Sequence, residues 1–182
     1  EDLLVTNGFS FDVMDQDSHD KLRAMELSKE QRKRSRQFHP PLPTANVAFR
    51  NKGDGTFESR GAAWGFDQKG ISYGMALGDL DNDGDLDVVI NQLNEEALIL
   101  RNVTSAPRVK VVLEGVSPNT RGIGARIRLV IGDFIQSQTI DAGGRYLSSD
   151  EAVRVFAFPV GGPRSAQLEV AWPDGRRSEI HS

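Results

Sequence analysis

The stretch GDLDNDGDLD, Gly78 to Asp87, decides the fold. Its five aspartates, Asp79, Asp81, Asp83, Asp85 and Asp87, stand at alternate positions with one glycine, Gly84, among them. Neighbouring carboxylates repel and no turn requires five, so the spacing asks for a cation. Counted from Asp79, side-chain oxygens fall at positions 1, 3, 5 and 9 and the glycine at position 6. On a tightly curved loop alternate side chains converge on one point. Gly84 permits the bend, since a residue without Cβ tolerates positive φ. Position 7, Asp85, is expected to offer its backbone carbonyl and leave its side chain outside. This all-oxygen set suits Ca2+, which takes about six to eight oxygens in flexible geometry, better than the smaller Mg2+, which keeps its waters. Zinc prefers nitrogen or sulfur, and no histidine is near in sequence. An EF-hand shares the first part of the spacing but closes on an acid at about position 12 between two helices. Position 12 here is Ile90, and the flanks SYGMAL and LDVVI read as strands. The expectation is a Ca2+ loop joining two β-strands, with Asp79, Asp81, Asp83, Asp85 and Asp87 as the metal residues. The bland alternative is a solvated acidic turn.

Outward from the loop the chain reads as β. Ser72 to Leu77 and Leu86 to Ile90 flank it, and Ala97 to Leu100 follows. Upstream, VAFRN and Thr56-Phe57 are strands around the turn KGDG, and Leu3 to Thr6 is a short strand ended by Asn7-Gly8. Residues 17–37 lack Gly and Pro and are rich in helix formers. They predict a surface helical insertion at about 17–39, with Ser18 capping its start and Ser28 with Gln31 at capping-box spacing. Downstream of Pro107, RVKVVLEG, GARIRLVIG and QLEVAW alternate in hydropathy, and Gly-rich turns separate them. These features indicate an antiparallel sandwich or barrel.

The chain has 182 residues, no cysteine and a net charge of −4. Disulfides and thiolate metal sites are excluded, and the acidic balance speaks against a nucleic-acid partner. No apolar run approaches the ~20 residues of a membrane span. Residues 1–106 carry 12 basic and 18 acidic side chains, residues 107–182 carry 10 and 8. That shift suggests two domains, 1–106 and 107–182. The opening EDLLVTNGF reads as the start of a piece of something longer.

GxALGDLDNDGDLDVVI, preceded by NVAFRNKGDGTFE, resembles the calcium-binding FG-GAP/VCBS repeat, which builds β-propeller blades. Glu1 to Gly8 has the same layout as Leu86 onward, so Asp2 resembles the closing ligand of an earlier loop. The blocks Gly122 to Ile127, Ile140 to Ser149 and Val170 to Gly175 resemble the ASPIC/UnbV domain, although Phe156 to Gly161 departs from that family's usual segment. The resemblance implies an all-β chain of partial propeller blades with a short helical insertion, followed by a small antiparallel domain. It implies a secreted, periplasmic or cell-surface binding or adhesion module for a protein or glycan ligand, without catalysis. An enzyme, or an accessory subunit of a secreted polysaccharide-processing system, is the alternative. A propeller has about four to eight blades, so one complete loop leaves open sheet edges, and a dimer or strand exchange is expected.

Other clusters read more plainly. Asp15, Asp17 and Asp20 suit helix capping. The basic run Arg32 to Arg36 suits a solvated helix face better than a polyanion contact. Trp64 and Trp172 suit packing better than sugar stacking. Arg126, Arg128 and Arg145 suit the polar side of a sheet better than a carboxylate site. Histidines 19, 39 and 181 have no ligand spacing.

Overall fold

The computed structural model describes residues 2–159, 161–162 and 165–181. They are mostly β, in antiparallel sheets with two short helices, and no closed barrel forms among them. Packing divides the chain into two compact units, Glu1–Tyr73 with Ile90–Ala97, and Gly74–Val89 with Leu98–Ser182.

In the first unit, β1 (Leu3–Val5) is followed by helices α1 (Gln16–Ala24) and α2 (Lys29–Lys33), then β2 (Thr44–Ala45), β3 (Val47–Asn51), β4 (Phe57–Ser59) and β5 (Lys69–Gly70). β3 pairs on one side with β1 and on the other with β4, while β2 pairs with β5. The helices fall in the expected insertion. Ser28 and Gln31 form the capping box, each side chain meeting the other's backbone N–H. The cap of α1 is Asp15, not Ser18: Asp15 Oδ2 accepts the Ser18 N–H at 2.8 Å, and Ser18 is buried inside the helix. Asp15 has extended backbone, as an N-cap must, and its carboxylate meets an N–H that the first turn leaves unpaired. The basic run lies on α2 and the turn after it, exposed, with Lys33 paired to Glu30. In the β3–β4 turn Asp54 Oδ1 accepts the Thr56 N–H. Ala48, Phe66 and Ile90 are the buried apolar residues of this unit.

β6 (Ser72–Gly78), β7 (Asp87–Gln92) and β8 (Leu98–Leu100) form a sheet in that order, and the aspartate loop is the β6–β7 connection.

The remaining strands of the second unit are β9 (Arg108–Val112), β10 (Arg126–Ile131), β11 (Phe134–Thr139), β12 (Gly144–Arg145), β13 (Ser148–Ser149), β14 (Val153–Ala157), β15 (Gln167–Ala171) and β16 (Arg177–His181). A four-stranded sheet runs β11-β10-β15-β16, and β9 pairs with β14. The alternation in GARIRLVIG has its expected effect. Ile127, Leu129 and Ile131 turn inward with Val111, Leu113, Ala125, Ile140, Phe156 and Val170. Each such large side chain contributes about 1.5–3 kcal/mol by leaving water. On the outer face Arg128 pairs with Glu169 at 3.0 Å, and Arg126 donates to Ser137 Oγ. Arg145 is not with them; it sits in β12 and pairs with Asp150.

Gly122 shows how the block Gly122 to Ile127 is built. Its φ is +66°, and a Cβ there would lie 2.9 Å from Leu113 Cδ1 and 3.2 Å from the Trp172 ring. The stretches GIGARI and WPDG therefore pack against each other through a bare backbone. Trp172 is half-buried there, donates to Ser178 Oγ and carries Arg176 over its ring, while Trp64 is exposed. The stretch after GGRY does a different job. Ser148 Oγ donates to the Met75 carbonyl at 2.7 Å, Asp150 Oδ1 accepts the Leu77 N–H at 2.9 Å, and the Glu151 N–H donates to the Leu77 carbonyl at 2.8 Å. These bonds hold the end of β6 and so position the loop that leaves it.

Candidate metal centre in the aspartate loop

Two residues with positive φ shape the loop, Gly84 at +92° and Asn82 at +60°. The glycine was legible from its position. Asn82 was not singled out, although asparagine is among the few side chains that visit this region readily.

Asp79, Asp81 and Asp87 come together. Each offers one carboxylate oxygen, and the three oxygens lie within 4.8 Å of one another, with Asp79 and Asp87 buried and Asp81 exposed. Asp87 is 2% exposed; its Oδ1 accepts the Asn102 N–H at 2.8 Å and its Oδ2 the Leu80 N–H at 3.0 Å. Asp79 Oδ1 accepts the Asp83 N–H and its Oδ2 the Gly84 N–H, both at 3.1 Å. The Asp79 N–H in turn donates to Glu151 Oε2 at 2.9 Å. Carboxylates thus fold the loop as well as line it.

Asp83 and Asp85 stand apart from that trio. Asp83 is exposed, and its Oδ1 accepts the Asp85 N–H at 3.1 Å. The Asp85 side chain was expected to point outside, yet it is 3% exposed. Arg108 reaches into the loop and pairs with its Oδ2, which turns a solvent-facing position into a buried ion pair. Its Oδ1 is buried with no hydrogen-bond partner among the described residues.

The question posed by the crowded charge therefore has a first answer inside the protein. Arg108 meets Asp85, Lys110 Nζ meets Asp79 Oδ2 at 2.5 Å, and Arg101 Nε meets Asp81 Oδ2 at 2.7 Å. Lys110 holds the Asp79 carboxyl below the usual carboxylate range, against the opposing pull of burial, and Asp79 raises the Lys110 ammonium in return. Burial pushes the Asp85 carboxyl up, with Arg108 opposing. Five aspartates against three cations leave two negative charges when all are ionised. Sequence reading missed these cations. Arg108 and Lys110 alternate along β9, a signal that can be read only once β9 is known to lie against the loop.

One more feature was half legible. Asp2 Oδ1 accepts the Asn51 N–H at 2.7 Å, as Asp87 Oδ1 accepts that of Asn102. Each asparagine follows an arginine, in FRN and LRN, and each side-chain oxygen accepts the N–H two residues on, from Gly53 and Thr104. Asp2 and Asp87 thus share this contact as well as their sequence layout, although Asp2 is exposed and Asp87 buried.

Elsewhere, His19 and His39 come into edge-to-face contact at 5.1 Å despite their separation in sequence. A cavity of about 670 Å3 on the outer face of the four-stranded sheet is lined by Arg126, Arg128, Glu169, Arg177 and Glu179 among others. No described helix is long and apolar enough to cross a membrane.

Two protein-family models match the chain: the FG-GAP-like repeat over residues 42–90, and ASPIC and UnbV over residues 115–182. No curated protein matches it. The aspartate loop lies within the first match, and Arg101, Arg108 and Lys110 lie between the two.

Proposed function

From the premise that this chain carries an FG-GAP-like repeat followed by an ASPIC and UnbV domain, we propose that it is a calcium-binding, non-catalytic module of a secreted, periplasmic or cell-surface protein, serving adhesion or the binding of a protein or glycan. The observation that carries the metal reading is the trio of carboxylate oxygens of Asp79, Asp81 and Asp87 within 4.8 Å of one another, on a β-hairpin loop. Three further features support it. The donors are oxygen alone, which is the chemistry of Ca2+ rather than of zinc. Five carboxylates against three cations leave the loop net negative, which favours a further cation. Asp85 Oδ1, buried with no hydrogen-bond partner among the described residues, leaves part of the loop's negative charge unanswered.

Asp79, Asp81 and Asp87 would hold the ion, with Asp83 and Asp85 adding to the negative field of the loop. The ion supplies positive charge that relieves repulsion among the carboxylates. The chain's own residues do the rest: Asp87 ties the loop to the Asn102 backbone, and Glu151 fixes the Asp79 backbone. The role is structural, pinning the ends of β6 and β7 together.

Thermal unfolding with and without chelator tests the proposal. Calcium at about a hundredfold excess over Kd should add about 2.7 kcal/mol of stability, with magnesium adding less at equal concentration. An unfolding curve that neither ion nor chelator moves would remove the metal reading. For the binding role, glycan and protein arrays probed with the calcium-loaded chain should show retention without turnover, and measurable turnover of a bound glycan would favour an enzyme instead.

A further inference from the structure

The contact between Lys110 and Asp79 has no place in a simple metal loop. Asp79 is one of the three converging carboxylates, its side chain has no exposure to solvent, and one of its two oxygens carries the Lys110 ammonium at 2.5 Å. Lysine is a compact point charge on a flexible stem, and here its side chain keeps 27% of its exposure. It therefore has a way out. Arg108 differs, being fixed on buried Asp85, which is not one of the trio. Arg101 differs too, because its partner Asp81 keeps 32% of its side-chain exposure and the pair stands in solvent.

A divalent cation that takes Asp79 as a ligand must sit about 2.3–2.6 Å from its oxygen. An ammonium bonded to the same carboxylate would then lie within a few ångströms of that ion. The like charges repel, and the low-dielectric surroundings of Asp79 screen them poorly. Each therefore weakens the other's hold on Asp79. Glu151, which accepts the Asp79 N–H at 2.9 Å, is a carboxylate close by that can receive the displaced ammonium.

We propose that Lys110 is a built-in competitor for the metal: its ammonium occupies Asp79 in the metal-free loop, holds the loop in shape, and gives way as the cation binds, so that Lys110 sets the calcium affinity. The inference rests on the calcium reading above. It gives the loop two ordered states of similar geometry, one neutralised from within and one from without. It also gives β9 a part in tuning an ion site that belongs to the β6–β7 hairpin.

The test is titration calorimetry of chelator-stripped protein with CaCl2 at about 0.15 M salt, where long-range fields between exposed charges are largely screened. Four proteins are compared: the unaltered chain, Lys110→Met, Lys110→Arg and Arg128→Met. Methionine keeps the apolar stem and removes the competitor, and arginine restores a positive charge. Arg128→Met removes the same charge from a residue paired with Glu169 instead of the loop. Lys110→Met should bind calcium about tenfold tighter or more, the scale set by about 1.4 kcal/mol of lost competition. Arg128→Met should stay within about twofold of the unaltered chain, and Lys110→Arg should bind no tighter than it. Equal affinity in Lys110→Met and the unaltered chain overturns the role of Lys110 and leaves the calcium reading standing. An equal gain in Arg128→Met does the same by showing a general field effect, and any gain in Lys110→Arg does so by showing that the positive charge at this position is not what competes. Binding in none of the four removes the calcium reading and this inference with it.

Discussion

Asp87 is where the fold and the proposed metal centre meet, so its replacement separates the two roles. The carboxylate is 2% exposed, and each oxygen accepts one backbone N–H, from Asn102 and from Leu80. Asp87→Asn keeps one acceptor and turns the other into a donor facing an N–H. One hydrogen bond to a charged acceptor is lost, worth about 1.5–3 kcal/mol. Asp87→Ala loses both, and the cost should rise to about 3–5 kcal/mol with two N–H groups left to find water. These costs belong to the protein without metal. Calcium adds a second difference: the unaltered chain should gain about 2.7 kcal/mol at a hundredfold excess over Kd, and both variants should lose most of that gain. Urea unfolding followed by Trp172 fluorescence in a Trp64→Phe background reports the unit that contains the loop, in chelator and again in calcium. A midpoint unchanged by Asp87→Asn in chelator would refute the hydrogen-bonding account of the loop. A full calcium gain retained by Asp87→Ala would refute its place as a ligand.

Other perturbations give narrower checks. Phe156→Ala, at a side chain with no exposure in the second unit's core, should cost about 3–5 kcal/mol by denaturant unfolding, and a loss under 1 kcal/mol (about one buried methylene) would mean the core is not packed as described. Gly84→Ala places a Cβ in open space but forces it to φ +92°, so about 1–2 kcal/mol should be lost through backbone strain alone, with calcium affinity reduced alongside. The Asp79–Lys110 pair sets a pH window in chelator. The Asp79 carboxyl is lowered from 3.8, so its contribution is full above that pH and lost as pH falls through the lowered value. The Lys110 ammonium is raised from 10.5, so its contribution is full below that pH and lost as pH rises through the raised value. The difference in melting temperature between the unaltered chain and Lys110→Met should therefore be flat across neutral pH and shrink at both extremes, and a difference that grows on acidification would contradict the pairing.

How much of this was legible in the sequence depends on how local each feature is. The loop was legible because its chemistry is written in consecutive residues: alternate carboxylates, one glycine, and strands on both flanks. The inward row Ile127, Leu129 and Ile131 was legible for the same reason, since a strand's two-residue period maps directly onto faces. The sequence offered both Ser18 and the Asp15, Asp17, Asp20 cluster as caps, and only the backbone turn selects Asp15 over Ser18. The cations were missed because they meet the loop through tertiary contact: Lys110 reaches Asp79 across 31 positions. Asp85 followed from that omission, since its side chain is buried only because Arg108 comes to meet it. The stitching of β6 by Ser148, Asp150 and Glu151 is equally distant in sequence and equally hidden.

The central claim is that the β6–β7 hairpin holds a divalent ion through oxygen atoms alone. Crystals grown in millimolar calcium and measured for anomalous scattering test it at the atoms concerned. The account predicts a peak about 2.3–2.6 Å from oxygens of Asp79, Asp81 and Asp87, with the Lys110 ammonium withdrawn from Asp79. Absence of a peak there, with Lys110 still bonded to Asp79 and Arg101 to Asp81, would show that the protein's own cations are all the loop requires.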